Sequence, residues 1–188
     1  ALGMAWLWKW LAENPQAEQQ LHHELDNVLA GAPPTPDHLP RLPYTFAVFQ
    51  ETIRLYPPVW HKARVASDAD IIDGHATPRG ASVLVSPWFT HRHKDFWPQP
   101  ELFNPTRFLN SAPLHRYAYF PFGGGRHQCL GMHFANMEAT LLLAQLAQQF
   151  IVRPIPNQNI LPDPGIPPRQ TPTLPAPIHL RRSHLTTP

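Results

Sequence analysis

A chain of 188 residues has room for one domain with its own hydrophobic core, which excludes a small disulfide-held scaffold, and its single cysteine cannot form an intrachain bridge. Lys and Arg number 15 against 13 Asp and Glu, and a formal net charge of +2 is too small for a nucleic-acid binder. The 25 prolines exceed the ordinary ~5% share more than twofold, yet regularly spaced apolar segments separate them until near the C-terminus.

The run from Ala1 to Ala12 is apolar but for Gly3 and Lys9 and starts without an N-cap, the pattern of a helix entered in its middle. It falls short of the roughly 20 apolar residues of a bilayer span and lacks the basic start and cleavage site of a signal peptide. Asn14-Pro15 restarts a helix over 14–30, with Ala17, Leu21, Leu25, Val28 and Leu29 at helical spacing. Gly31 and the Pro33-Pro34-Thr35-Pro36 stretch end it. Phe46, Val48, Phe49, Ile53 and Leu55 predict a further helix over 44–55, which Pro57-Pro58 stops.

The period then shortens. Residues 63–66, 71–74 and 81–85 are short, β-branched and bounded by turn residues, so 63–85 predicts a small β-sheet. Residues 86–121 bring prolines and aromatics in close succession without a period, an ordered meander too aromatic for a solvated linker. The last strong helix, 130–150, is expected to turn Ala135, Glu138, Leu141, Leu142, Gln145 and Leu146 inward. The stretch 151–188 is Pro-rich, with strand candidates at Ile151-Val152 and Ile178-His179-Leu180. The expected fold class is mainly α with a small β subdomain.

Immediately before the last helix stands Phe120-Pro121-Phe122-Gly123-Gly124-Gly125-Arg126-His127-Gln128-Cys129-Leu130-Gly131. Three consecutive glycines let the backbone turn sharply and approach a flat partner closely. At a helix start, free N–H groups and the positive dipole end favour the thiolate of Cys129, which is the metal-ligating form. Gly131 keeps the space beside the sulfur open. Taken by itself, a lone cysteine is more often an inert core residue and a glycine run a plain turn.

The pattern Phe122-x-x-Gly125-x-x-x-Cys129-x-Gly131, followed by Ala135-x-x-Glu138, resembles the Cys-ligand loop of the cytochrome P-450 superfamily, the haem-thiolate monooxygenases. Glu51-Thr52-Ile53-Arg54 matches the family's Glu-x-x-Arg, where residues three apart share a helix face and a carboxylate can hold a guanidinium in two bonds. Phe103-Asn104-Pro105-Thr106-Arg107-Phe108 matches its meander signature, and the resemblance joins Arg107 to Glu51 and Arg54 in a buried triad. The three motifs follow in the family's order and span essentially the whole chain, the C-terminal part of that fold.

The resemblance implies haem b, with Cys129 as axial iron ligand and Phe122, Gly123, His127, Arg64 and Gly131 around the cofactor. Arg64 would contact a haem carboxylate, and His127 stands where the family often has Arg. Val59, Trp60, His61 and Lys62 occupy a segment that lines the substrate pocket in relatives. Residues 1–12 would end the central helix over the distal haem face, and the acid-alcohol pair that delivers protons to dioxygen would lie upstream of Ala1. No catalytic residue of that kind is visible within the chain, so the 188 residues alone are expected to be inactive and to hold haem poorly. The activity implied is insertion of one oxygen atom into a small hydrophobic substrate. Two electrons would come from a ferredoxin, flavodoxin or reductase domain, with Arg92, Lys94, Arg116 and Arg126 as candidates for a basic docking surface. No nucleic-acid partner and no membrane segment are expected, and the location implied is the cytoplasm. The rival readings are a non-catalytic haem-binding or degenerate fragment and a zinc-binding module on His127, Cys129 and His133. The zinc reading is the weaker, because one cysteine without a companion cluster falls short of four ligands.

Overall fold

The computed structural model describes residues 2–109, 115–153, 161–163, 169–171 and 176–181. Helix α1 (Leu2–Glu13) and helix α2 (Pro15–Leu29) break at Asn14, whose side-chain amide donates to the Trp10 carbonyl at 2.8 Å and so satisfies an end of α1. Pro15 opens α2, and Ala30 closes it in the left-handed region at φ 46°. A 3-10 turn (Pro36–Arg41) leads into α3 (Pro43–Leu55).

The N-terminus of α3 is capped from a distance. Glu24 of α2 accepts the Tyr44 and Thr45 backbone N–H groups, each at 2.7 Å, and the Thr45 hydroxyl at 2.6 Å. Burial, and then the Glu24 charge, push the Tyr44 phenol up to about 12. Helix α3 is the centre of the structure and packs against α1, α2 and the last helix, α5 (Met132–Gln149). Leu7, Leu21, Leu25, Val48, Leu55 and Leu143 are fully buried in that core. Trp6 of α1 stacks on Tyr56 at 4.0 Å between ring centroids, and Trp10 lies parallel to Phe103 at 5.4 Å.

Helix α5 departs from expectation. Its core face is Ala139, Thr140, Leu143, Ala144 and Ala147, whereas Glu138 and Leu142 are exposed. The helix is apolar on two sides, so spacing alone did not decide which side meets α3. It also begins two residues later than expected, with Gly131 as N-cap.

The 63–85 region forms two separate antiparallel pairs rather than one sheet. Strand β1 (Lys62–Val65) pairs with β4 (Ser82–Val85), and β2 (Asp70–Ile72) pairs with β3 (His75–Thr77). Asp73 and Gly74, at φ 47° and 78°, make the two-residue hairpin turn that β3 requires. The meander holds a short helix α4 (Pro87–Thr90) and a 3-10 turn (Pro105–Phe108).

Strand β5 (Phe150–Val152) pairs with β8 (Ile178–Leu180), the two segments expected to be strands. Strands β6 (Leu161–Asp163) and β7 (Arg169–Thr171) pair with each other, and the rest of the Pro-rich stretch lies outside the described residues. Two ion pairs fasten the β5–β8 ribbon to one face of α2. Arg153 holds Glu18 at 2.6 and 2.8 Å, and Arg181 holds Asp26 at 2.5 and 2.9 Å. His22 stands between them, and burial, then the Arg181 charge, lower its pKa to about 4. Among the described residues, no helix is long and apolar enough to cross a membrane.

Candidate functional site

The loop before α5 is shaped by its glycines. Gly123 and Gly125 lie at φ 82° and 67°, a region that favours glycine, and a Cβ on Gly124 would come within 2.8 Å of Tyr117 Cε1. The Gly123 N–H donates to the Phe120 carbonyl at 2.9 Å, and the Cys129 N–H donates to the Phe122 carbonyl at 2.9 Å. The chain thus folds back on itself and presents Cys129 at its tip, with the thiol free and exposed. Cys129 lies ahead of the first turn of α5 rather than in it, and its carbonyl meets the Met132 N–H at 3.4 Å. A Cβ on Gly131 would touch the sulfur at 4.0 Å, an ordinary contact.

Cys129 stands in the wall of a cavity of about 850 Å³. Leu2, Gly3 and Met4 of α1, Phe49 and Ile53 of α3, and Ala135, Ala139, Leu142 and Leu146 of α5 supply its apolar walls with Pro58, Val59, Pro121 and Phe122, and Lys62 and Glu138 are its charged members. The residues predicted to face inward on α5 are in part cavity wall. A second groove, of about 590 Å³, shares Cys129, Phe122, Val59 and Lys62 and adds Ala63, Arg64, Val65 and His127. The cavity beside the sulfur is therefore largely apolar, and the adjoining groove is cationic. That donor set fits a flat apolar macrocycle with a soft metal at its centre and carboxylates on one edge.

Behind the loop, Glu51, Arg54 and Arg107 come together. The Glu51 carboxylate, fully buried, accepts Arg54 Nε at 2.6 Å and Nη2 at 2.9 Å, Arg107 Nε at 3.0 Å and the Asn104 N–H at 2.8 Å. Arg54 Nη1 continues to the His91 carbonyl at 2.7 Å, and the Arg54 guanidinium lies 5.1 Å from the centre of the Trp97 ring.

His91, which with Arg92 before the meander fits the family resemblance, has partners that the sequence did not disclose. It is fully buried, and its Nε2 accepts the Phe120 N–H at 2.9 Å, so the proton must sit on Nδ1, which meets the Arg54 carbonyl at 3.2 Å. A neutral imidazole therefore ties the end of α3 to the residue from which the cysteine loop departs. Burial above all lowers its pKa to about 3. Tyr119 adds a bond from its hydroxyl to the Gln50 carbonyl at 3.1 Å. The partners of His91 lie 37 and 29 residues away in the chain.

The remaining candidates divide. Arg64 and His127 are exposed in the groove beside Cys129, and Arg64 Nη1 donates to the neighbouring Ala63 carbonyl at 2.9 Å. Val59 and Lys62 line the cavity, whereas Trp60 and His61 are not among its lining residues. The Trp60 carbonyl instead accepts the Ser86 hydroxyl at 2.7 Å, and the two rings of Trp60 and His61 pack edge to face at 4.1 Å. Lys94, Arg116 and Arg126 are exposed. Arg92 is not part of such a surface: its side chain is 12% exposed, it pairs with Glu101 at 3.1 Å, and it lies 3.7 Å from the Trp88 ring centre. Among the described residues, no three His, Cys, Asp or Glu side chains gather closely enough to hold a metal ion.

The family model described as cytochrome P450 matches residues 1–179. Cyclooctatin synthase of Streptomyces melanosporofaciens is 41% identical over 166 residues, covering 87% of this chain and 36% of its own. "Putative cytochrome P450 132" of Mycobacterium tuberculosis is 42% identical over 161 residues, 85% of this chain and 35% of its own. Cyclooctat-9-en-7-ol 5-monooxygenase of Streptomyces melanosporofaciens is 36% identical over 159 residues, 84% and 35% respectively. The chain spans about a third of the length of the relatives it matches.

Proposed function

Since the chain belongs to the cytochrome P450 family, we propose that it forms the cysteine-ligand side of a haem-thiolate monooxygenase acting on a hydrophobic small molecule. The observation that carries this reading is the position of Cys129: a glycine bend holds its thiol where a largely apolar cavity of about 850 Å³ meets a cationic groove. Two relatives carry names of synthetic or oxygenating enzymes, which supports the same reaction class.

Cys129 would bind iron through Sγ as thiolate, and Arg64 and His127 would meet the cofactor's carboxylates. Haem b, when bound there, supplies dioxygen activation and transfer of one oxygen atom to the substrate, and a thiolate ligand favours cleavage of the O–O bond. The protein's own work is positional. Phe122 and the α5 residues Ala135 and Ala139 would keep water from the sulfur once the cofactor covers it, and Met4, Phe49 and Ile53 of α1 and α3 line the same cavity. His91 and the Glu51 triad hold the loop against α3. Lys94, Arg116 and Arg126 would offer a cationic face to an acidic ferredoxin, flavodoxin or reductase domain that delivers electrons.

Turnover of the haem-loaded, full-length protein under ¹⁸O₂, with an electron donor and a panel of hydrophobic small molecules, tests the proposal. One labelled oxygen per product molecule is the expected result. Product oxygen drawn from water, or electron consumption with no oxygenated product across the panel, would overturn it.

A further inference from the structure

Strand β1 places Lys62 and Arg64 two residues apart and therefore on one face, opposite Val85 and Val83 of β4. Both line the groove that ends at Cys129 and His127. Its described lining residues include a lysine, an arginine and a histidine but no Asp or Glu, so no carboxylate within the groove offsets their charge.

Lys62 is the less comfortable of the two. Its ammonium nitrogen meets the Pro121 carbonyl at 3.4 Å, a long contact, and lies 6.0 Å from the Phe120 ring centre. A Cβ on Gly123 would come within 3.0 Å of it, so the amine is drawn over the glycine bend toward the loop that bears Cys129. Burial, then the Arg64 charge, depress its pKa, while Cys129 acts in the opposite direction. A carboxylate entering the groove would offset both effects by favouring the charged ammonium.

We propose that Lys62 is a cofactor-carboxylate ligand, with its ammonium and the Arg64 guanidinium each taking one of two neighbouring carboxylates on the edge of the bound porphyrin. The sequence placed Lys62 among substrate-lining residues; here it belongs to cofactor retention. Residues two apart on a strand stand about 6.5 Å from one another, a spacing that lets Lys62 and Arg64 serve different acid groups of one ligand, with His127 sharing one of them. The inference rests on haem ligation by Cys129.

Its test compares haem with haem dimethyl ester, which lacks the free carboxylates, in the full-length protein and in Lys62→Met and Lys62→Arg. Transfer of the cofactor to an excess of apomyoglobin reads retention. Lys62→Met is expected to release haem roughly tenfold faster or more, the scale of one charge-assisted hydrogen bond, and Lys62→Arg to restore retention. The ester should leave all three proteins at one rate, and the ferrous carbonyl spectrum of Lys62→Met should keep its thiolate band. Unchanged haem release in Lys62→Met, or an equal acceleration for haem and ester, would overturn the proposal. Weakened binding of an acidic substrate with haem retention intact would overturn it in favour of the substrate-lining role. Absence of the thiolate band from the unaltered protein would refute the Cys129 ligand and this proposal together.

Discussion

Glu51→Gln is the sharpest perturbation of the scaffold behind the loop. The amide keeps the size of the carboxylate but removes its charge and replaces one acceptor with a donor. Four donors converge on the two Glu51 oxygens: Arg54 Nε on Oε2, and Arg54 Nη2, Arg107 Nε and the Asn104 N–H on Oε1. In the better orientation the amide oxygen serves the last three, and the amide nitrogen then faces Arg54 Nε, donor against donor, where the bond is now 2.6 Å. Arg54 is left as a fully buried cation with no counter-charge. Breaking a buried pair in this way costs about 3–5 kcal/mol, a large share of the 5–15 kcal/mol that holds an ordinary domain folded. With a urea slope of about 2 kcal/mol/M, the midpoint should fall by roughly 2 M, followed through tryptophan fluorescence. Arg107→Met should cost less, since its side chain is 12% exposed and gives Glu51 one bond. Combined with Glu51→Gln it should be sub-additive by about 1 kcal/mol, because the Arg107–Glu51 charge pairing that it removes is already gone once the carboxylate is an amide. A Glu51→Gln penalty below about 1 kcal/mol, or strict additivity of the pair, would refute this account of the triad.

Three further outcomes are expected. The depressed His91 pKa means that the unfolded chain takes up the proton first, so stability present above about pH 6.5 is lost as the pH falls toward 3. Thermal melts of His91→Asn across that window should show a flatter slope than those of the unaltered protein, and an unchanged slope would count against His91 as its source. Arg181→Met should raise the His22 pKa, since Arg181 lowers it, while burial keeps it below 6.5; an NMR titration reads the shift, and no rise would contradict the pairing of the ribbon with α2. Gly123→Ala should cost about 1–2 kcal/mol because its φ is 82°, whereas Gly131→Ala, at φ −83° with the sulfur 4.0 Å away, should cost under about 0.5 kcal/mol. Equal penalties in chemical denaturation would contradict the assigned backbone strain.

The helices were legible wherever proline punctuated them, as at Pro15 and at Pro57 after α3, and the Glu51–Arg54 spacing already implied one helix face. The failures share a cause, which is that the deciding partner lies far along the chain. Glu24 caps α3 across 20 residues, and nothing in the sequence near Tyr44 announces it. The face of α5 that enters the core was chosen by α3 and the cavity rather than by the helix's own pattern. Strand β3 was missed although Asp73-Gly74 is a hairpin turn, because His75-Ala76-Thr77 is short and carries little apolar signal. The cysteine loop was visible as a motif, but its attachment to α3 through His91 depends on hydrogen bonds that bridge the whole meander.

The identity of the iron's protein ligand is decided most directly by the ferrous carbonyl spectrum of the haem-loaded protein beside that of Cys129→Ser. A strongly red-shifted Soret band in the former, lost in the latter, is the result expected for sulfur ligation from Cys129. The same band surviving the substitution would mean that the iron is held elsewhere.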